Sequence, residues 1–373
     1  MANPKTALIV GGGIAGMSAA IALARVGVVA DLVDLDPEWR VFGAGLSITG
    51  PTLRAFRQLG VIDEVREAGF FSSTIKMFAQ DGTPLAEIAN PPLEPGIPAA
   101  GGILRPVLHR ILSDRTRASG ANIRLGVSVA GLSETGDAVD VRFTDGSEKS
   151  YDLVIGADGC MSRVRQLLFP DAIAPKFTGQ GCWRVLADRP PEVTSTEIYF
   201  GDDVKAGVNP CSPDKLYMFV TSAMPGNPRI DPVNGIHQLA ELIAPFGGTV
   251  GKIREGLSEH SNFNYRPLEA MLLPRPWSVS KVGVIGDAAH ATTPHLASGA
   301  GIAVEDALVL AEEMIAANTV EEGWRRFEER RWERCRMVIE TSVRIGDIEI
   351  AHGSRSEIAG LMEGAARSLA EAI

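Results

Sequence analysis

The chain has 373 residues, 45% apolar and 22% charged, which suits a folded protein of two or three domain-sized units. Its net charge of −10 argues against nucleic acid or an anionic membrane as a partner. Cys160, Cys182, Cys211 and Cys335 lie far apart with no CxxC, which argues against a disulfide framework or a zinc site and makes a reduced, cytoplasmic setting the expectation.

Residues 6–24 carry no charge, about the length of a membrane span. Four glycines interrupt them, and they show no basic leader or cleavage pattern. A strand, a tight turn and a buried helix explain them better. Residues 7–10 (ALIV) read as a strand buried on both faces. Gly11-Gly12-Gly13-Ile14-Ala15-Gly16 then satisfies GxGxxG, residues 17–25 read as a helix, and residues 29–33 as a second strand ending at Asp34. In this context Gly11 permits the turn, Gly13 lets a pyrophosphate approach the backbone, and Gly16 lets helix and strand pack closely. The helix N-terminus favours phosphate, and Asp34 is placed to accept ribose hydroxyls. The fingerprint does not separate FAD from NAD.

Residues 43–60 give a glycine-rich loop and an amphipathic helix. Residues 74–89 read as a hairpin turning at Asp81-Gly82, 91–98 as irregular and 104–117 as a helix. Residues 139–150 read as strand-turn-strand. The strand 153–155 delivers Gly156-Ala157-Asp158-Gly159, then Ser162 and Arg165; taken alone, this is any strand-end turn. Beyond about residue 175 the texture is β-rich, with strands at 182–186, 196–200 and 216–222. Helical patterns return at 235–244 and dominate after Gly301.

The apolar run 282–285 leads into GDAAHATTPH, residues 286–295. A carboxylate there, Asp287, is costly to bury unless backbone or ligand hydrogen-bonds it. His290 and His295 have poor spacing for a helical metal pair and no accompanying ligand cluster, so no metal site is expected. His290 reads as structural; His295 either faces a substrate pocket or packs. The stretch RRFEERRWERCR, 325–336, reads as a solvated helix face with Glu328/Arg331 and Glu333/Arg336 at i,i+3.

The ordered set GxGxxG at Gly11–Gly16, DGxxSxVR at Asp158–Arg165 and GDAAHxxxP at Gly286–Pro294 resembles the single-component FAD-dependent aromatic monooxygenases of the p-hydroxybenzoate and salicylate hydroxylase type. The resemblance covers nearly the whole chain. It implies an α/β fold: a Rossmann-like FAD-binding domain (1–75, 99–175 and 271–345), an inserted β-rich substrate domain (76–98 and 176–270) and a C-terminal helical segment (346–373). It implies bound FAD, NADH or NADPH as a visiting reductant, and O₂. A small phenolic or hydroxylated heteroaromatic substrate would receive oxygen from a flavin C4a-hydroperoxide. A dehydrogenase, oxidase or halogenase on the same scaffold is the alternative, although the halogenase WxWxIP motif is absent.

By the same resemblance, Gly11, Gly13, Ala15, Gly16, Asp34, Arg40, Arg105, Val129, Asp158, Asp287, Pro294, Gly299, Ala300 and Gly301 belong to the FAD site. Asp287 is expected on the ribityl chain, Pro294 on the flavin's active face, and Gly299-Ala300-Gly301 at the pyrimidine edge, where many members carry Gln in place of Ala300. For Arg105 the alternative is a surface ion pair. Substrate candidates are Trp183, Tyr199, Lys205, Tyr217 and Pro294, with Arg184 also on the inserted sheet; each of the sheet residues has a plain alternative in sheet packing or solvation. Tyr217 and His295 are the candidates for deprotonating a phenol. A monomer or homodimer is expected.

Overall fold

Thr6–Val10, four of its five residues buried, is the strand around which the larger half is built. In the computed structural model, which describes residues 4–41 and 43–373 apart from the side chains of Pro232 and Val233, it lies inside a six-stranded sheet. Residues 1–3 and Phe42 of the predicted segment 1–75 lie outside the described residues. Strand order is Ser278–Val279, Val282–Val284, Leu153–Gly156, Thr6–Val10, Val29–Asp34, Asn122–Leu125. All neighbours are parallel except the short first pair. Helices Ile14–Arg25 and Gly299–Ala316 are alanine-rich and buried over most of their lengths, as elements between a parallel sheet and further helices must be.

The second sheet has seven strands, ordered Phe263–Ala270, Lys176–Asp188, Lys215–Ala223, Val204–Pro210, Thr196–Phe200, Thr74–Ala79, Pro84–Ala89. The early hairpin joins it through a parallel pairing of Thr74–Ala79 with Thr196–Phe200. One face carries Trp183, Val185, Tyr199, Met218 and Val220, packed against Leu239 and Val250 of the covering helices Pro232–Leu242 and Gly248–Glu255 and against Ile243 and Phe246 between them. The period of two sends Arg184, Leu186, Tyr217, Phe219, Thr221 and Lys205 to the other face, toward the first sheet.

Helix Val320–Ile350 runs 31 residues along both halves, straight through the predicted limit at 345. Its arginine-rich stretch differs from the solvated face expected. Glu333 and Arg336 do pair at the surface, 2.7 Å apart. Glu328 and Arg331 are buried and point to different partners: Glu328 accepts the Trp277 N–H at 2.8 Å, and Arg331 is 1% exposed among Glu305 and Asp306. Charge pattern alone does not tell which side of a helix faces a neighbouring acidic pair. The last helix, Arg355–Ala370, is held at its C-terminus by Arg54 and Arg334, which donate to the carbonyls of Ser368, Leu369, Ala370 and Glu371.

Candidate active site

Three adjacent parallel strands, Thr6–Val10, Leu153–Gly156 and Val282–Val284, end at one edge of the first sheet, and each runs into a glycine-bearing motif. That edge is where open α/β sheets bind ligands. The motifs touch. A Cβ built on Gly11, φ +107°, would lie 2.4 Å from the Ala157 oxygen; one on Gly286 would lie 2.8 Å from the Ala15 Cβ. On Gly16 it would sit 1.9 Å from the Gly11 oxygen, so only glycine admits this helix–strand approach. Gly13 differs: nothing lies within 4 Å of its Cβ position, and as N-cap of Ile14–Arg25 it makes no side-chain cap. The free N–H groups of that first turn face open space, a cradle for phosphate. Gly12 answers to a neighbour the motif does not reveal. Trp39 Nε1 donates to its carbonyl at 2.8 Å and would stand 2.2 Å from a Cβ there.

Asp34 accepts the Gly12 N–H at 2.6 Å on one oxygen and the Asp36 N–H at 2.8 Å on the other, leaving lone pairs for hydroxyls. Val129 is buried nearby, two residues past Val127, whose N–H donates to the Asp34 carbonyl at 3.0 Å. Arg40 lies at the surface, its Nε 2.8 Å from Asp36. Asp158 spends both oxygens on its own turn, accepting from Ser162 Oγ at 2.5 Å and from the Arg163 and Val164 N–H groups at 2.6 and 3.1 Å. What joins this motif to the next is Arg165, which donates to the Ala288 oxygen at 2.9 Å and the Cys160 oxygen at 2.7 Å.

Asp287 is solvent-accessible, not buried as its apolar surroundings in sequence suggest, and it accepts no hydrogen bond among the described residues. Protein nonetheless rings it: desolvation raises its pKa against the pull of His290 and Arg105. A carboxylate reached by water on the floor of a groove fits both facts. Arg105 has no ion pair among the described residues, so the surface-pair alternative does not hold. Its Nε donates to Gly45 O at 3.3 Å, and its stem would lie 2.8 Å from a Cβ on Gly43. Burial lowers its pKa, and Arg184 adds to the effect. Pro294 is exposed and opens the short turn Pro294–Leu296. The helix after it begins at Gly299 and Ala300 with no side-chain cap from Ser298, and Gly301 abuts Thr52 (2.3 Å to its Oγ1 from a built Cβ).

The structure separates the sheet candidates. Trp183 and Tyr199 face the covering helices: Trp183 donates to Ser222 at 3.3 Å, and Tyr199 donates to Glu197 at 2.8 Å. They sit on the side of the sheet away from the groove, a correction that comes from the helices packed on that face. Tyr217 faces the groove side, but its hydroxyl lies 2.6 Å from Ser47 Oγ, and burial raises its pKa. It is a protonated tether at neutral pH and not a base. Arg184 lies opposite Phe219 in the sheet, and its side chain has no hydrogen bond or ion pair among the described residues. Lys205 pairs with Glu349. His295, its side chain 1% exposed, lies 2.9 Å through Nδ1 from Thr293 Oγ1 and 3.3 Å through Nε2 from Glu349. Sequence reading missed Glu349, which belongs to the last turn of the long helix.

His290 is buried, 2.5 Å from Asp306, which also accepts from Arg331 and from the Gly286 N–H. Cys335 completes a set whose ligand atoms lie within 4.8 Å of one another. The Arg331 cation already holds the carboxylate, which leaves no need for a metal. No helix among the described residues is long and apolar enough to cross a membrane.

The model of the FAD binding domain family matches residues 5–342. This chain belongs to that family. Within the family it stands with the FAD-dependent monooxygenases of the aromatic hydroxylase type. It is 30% identical over 355 residues to aurachin C monooxygenase/isomerase of Stigmatella aurantiaca, covering 93% of this chain and 90% of that one. To 2-heptyl-3-hydroxy-4(1H)-quinolone synthase of Pseudomonas aeruginosa (strain UCBPP-PA14) it is 31% identical over 313 residues, 82% and 80% of the two chains. Its fold matches Klebsiella pneumoniae HpxO complexed with FAD and uric acid, with TM-score 0.82 and 24% identity over 98% and 93% of the chains. The family's cofactor suits the groove: an open phosphate cradle at Gly13, an unsatisfied carboxylate at Asp287 and a second uncapped helix start at Gly299.

Proposed function

We propose that the enzyme uses NADH or NADPH and O₂ to hydroxylate a small, planar, phenolic or hydroxylated heteroaromatic anion. Bound FAD supplies the redox and oxygen chemistry. The chain supplies binding and orientation. Gly11, Gly13, Ala15 and Gly16 cradle the pyrophosphate, Asp34 and Val129 meet the adenosine end, and Arg40 belongs with Gly43, Ala44 and Gly45 to the segment over which the isoalloxazine ring can move. Asp287 takes the ribityl hydroxyls. Gly299, Ala300 and Gly301 direct helix N–H groups to the flavin's pyrimidine edge. Arg105 and Pro294 border the ring, and Asp158 holds the turn that carries Arg165.

The observation that carries the substrate reading is Arg184: a guanidinium without a protein partner, set among Leu186 and Phe219 on the sheet face turned toward the groove. Apolar walls take a flat ring, and the cation holds a carboxylate or phenolate on it. Purified protein is expected to be yellow, and Gly13→Val or Asp287→Ala to lose most of its FAD. A panel of hydroxylated aromatic and heteroaromatic acids under ¹⁸O₂ should yield one labelled product, with KM for it raised more than tenfold in Arg184→Met. Hydrogen peroxide as the only product across the panel would overturn the reading.

A further inference from the structure

From Val282 to Ala291 every residue is buried except Asp287. Asp287 opens a single helical turn, Asp287–His290, whose other three residues point into the protein. What fixes that turn comes from behind it. Asp306 Oδ2 accepts the Gly286 N–H at 2.9 Å and lies 2.5 Å from His290 Nε2, so one carboxylate oxygen grips the chain on both sides of Asp287. Arg331 Nε holds the other oxygen at 2.8 Å. Arg165 adds its bond to the Ala288 carbonyl. Gly286, at φ +60°, packs the turn hard against the first helix: a Cβ there would meet the Ala15 Cβ.

We propose that Asp306 and His290 are positioning residues for the flavin cofactor: Asp306 braces the turn on both sides of Asp287, and the imidazolium it holds keeps the Asp287 carboxylate ionised in the groove. This rests on the reading of Asp287 as the acceptor of the ribityl hydroxyls. A carboxylate offers those hydroxyls acceptors only, whereas a carboxylic acid turns one oxygen into a donor and binds them less strongly. Burial favours the acid; a cation three residues along the same turn favours the carboxylate.

Asp306 on helix Gly299–Ala316 and Cys335 on helix Val320–Ile350 face His290, with Arg331 bound to Asp306, and the Trp277 ring lies 5.3 Å away. Burial works against the cation there, and Asp306 outweighs it. On Asp287, burial has the largest effect and raises the pKa; His290 and Arg105 lower it, and Asp306 raises it. Burial pushes the neighbouring Cys160 thiol up to about 11, so it brings no charge at neutral pH. Without the His290 cation the Asp287 pKa rises. The carboxylate is then protonated, and FAD loosened, from a higher pH downward.

The test follows FAD release from diluted holoenzyme by recovery of free-flavin fluorescence between pH 5 and 8, in a cycle of His290→Gln and Asp287→Asn. His290→Gln is expected to weaken FAD binding about tenfold at pH 6 where Asp287 is present, and by about twofold or less in Asp287→Asn, which cannot ionise. It should also move the acid limb of FAD affinity up by about one pH unit, and Asp287→Asn should remove that limb. His290→Asn, neutral as well, gives the same comparison should the glutamine variant not fold. Equal weakening in both backgrounds, or an acid limb left in place, overturns the proposal and makes His290 a packing residue only. Full FAD affinity in Asp287→Asn would remove Asp287 from the cofactor site, and this proposal with it. The release measurements need no substrate, so failure of the hydroxylase reading would be seen separately.

Discussion

Two histidines five residues apart each meet a carboxylate and a cation, and the two clusters behave in opposite ways. His290, Asp306 and Arg331 are 1%, 0% and 1% exposed. Burial works against a cation at His290, yet Asp306 outweighs it and the pKa rises well above the ordinary value. His295, Glu349 and Lys205 open toward solvent at one end, and there burial leaves the imidazole neutral. The same three chemical types make an ionic lock where water is excluded and the contact is short. Where water reaches one member and the contact is longer, burial of the imidazole outweighs the pull of the carboxylate.

The widest gap between the clusters should appear on removing a partner. Arg331→Met leaves Glu305 to Arg334 and Asp306 to His290 but removes the cation buried between the two carboxylates, and a loss of about 3–5 kcal/mol is expected, read as a large fall in Tm and in FAD retention. A loss under about 1 kcal/mol would mean that the lock is not an ion network. Next comes pH. His290, with its raised pKa, contributes stability that is full below about 6.5 and fades as pH rises through the folded value. His295, with its lowered pKa, contributes stability present above about 6.5 and lost as pH falls toward the folded value. Scans of Tm against pH should therefore flatten on the alkaline side in His290→Asn and on the acid side in His295→Asn. If both variants flatten the same limb, the contrast fails. Glu349→Gln, partly solvated and still able to hydrogen-bond, should cost about 1 kcal/mol in denaturant unfolding. Smallest is Arg336→Ala, on the outer face of the helix that buries Arg331: within about 0.5 kcal/mol, since exposed pairs contribute little.

Local chemistry explains which of these features could be read from the sequence. The strand, glycine turn and helix at residues 6–25 are one contiguous unit whose roles follow from spacing, and Asp34 follows from the end of the next strand. The later motifs needed only strand order to meet it. Trp39 against Gly12 was not legible, because no spacing rule links an indole to the second glycine of the turn. Strand parity did separate Trp183 from Arg184, but both faces of that sheet are covered, so parity alone could not say which faced the groove. Strand Val204–Pro210 is weak in β-formers and escaped notice, and Lys205 was left without its context. Arg331 and Glu349 find their partners 25 and 144 residues away, beyond any periodicity.

One rod carries both of those residues. Arg331 and Glu349 lie on the same unbroken helix, about 27 Å apart at 1.5 Å per residue. Its first part is pinned beneath the GDAAH turn and its last turn is pinned to the inserted sheet. The sheet therefore has no free hinge against the nucleotide-binding half: to swing outward it must break the contacts of Lys205 and Gln180 with Glu349 or bend the rod.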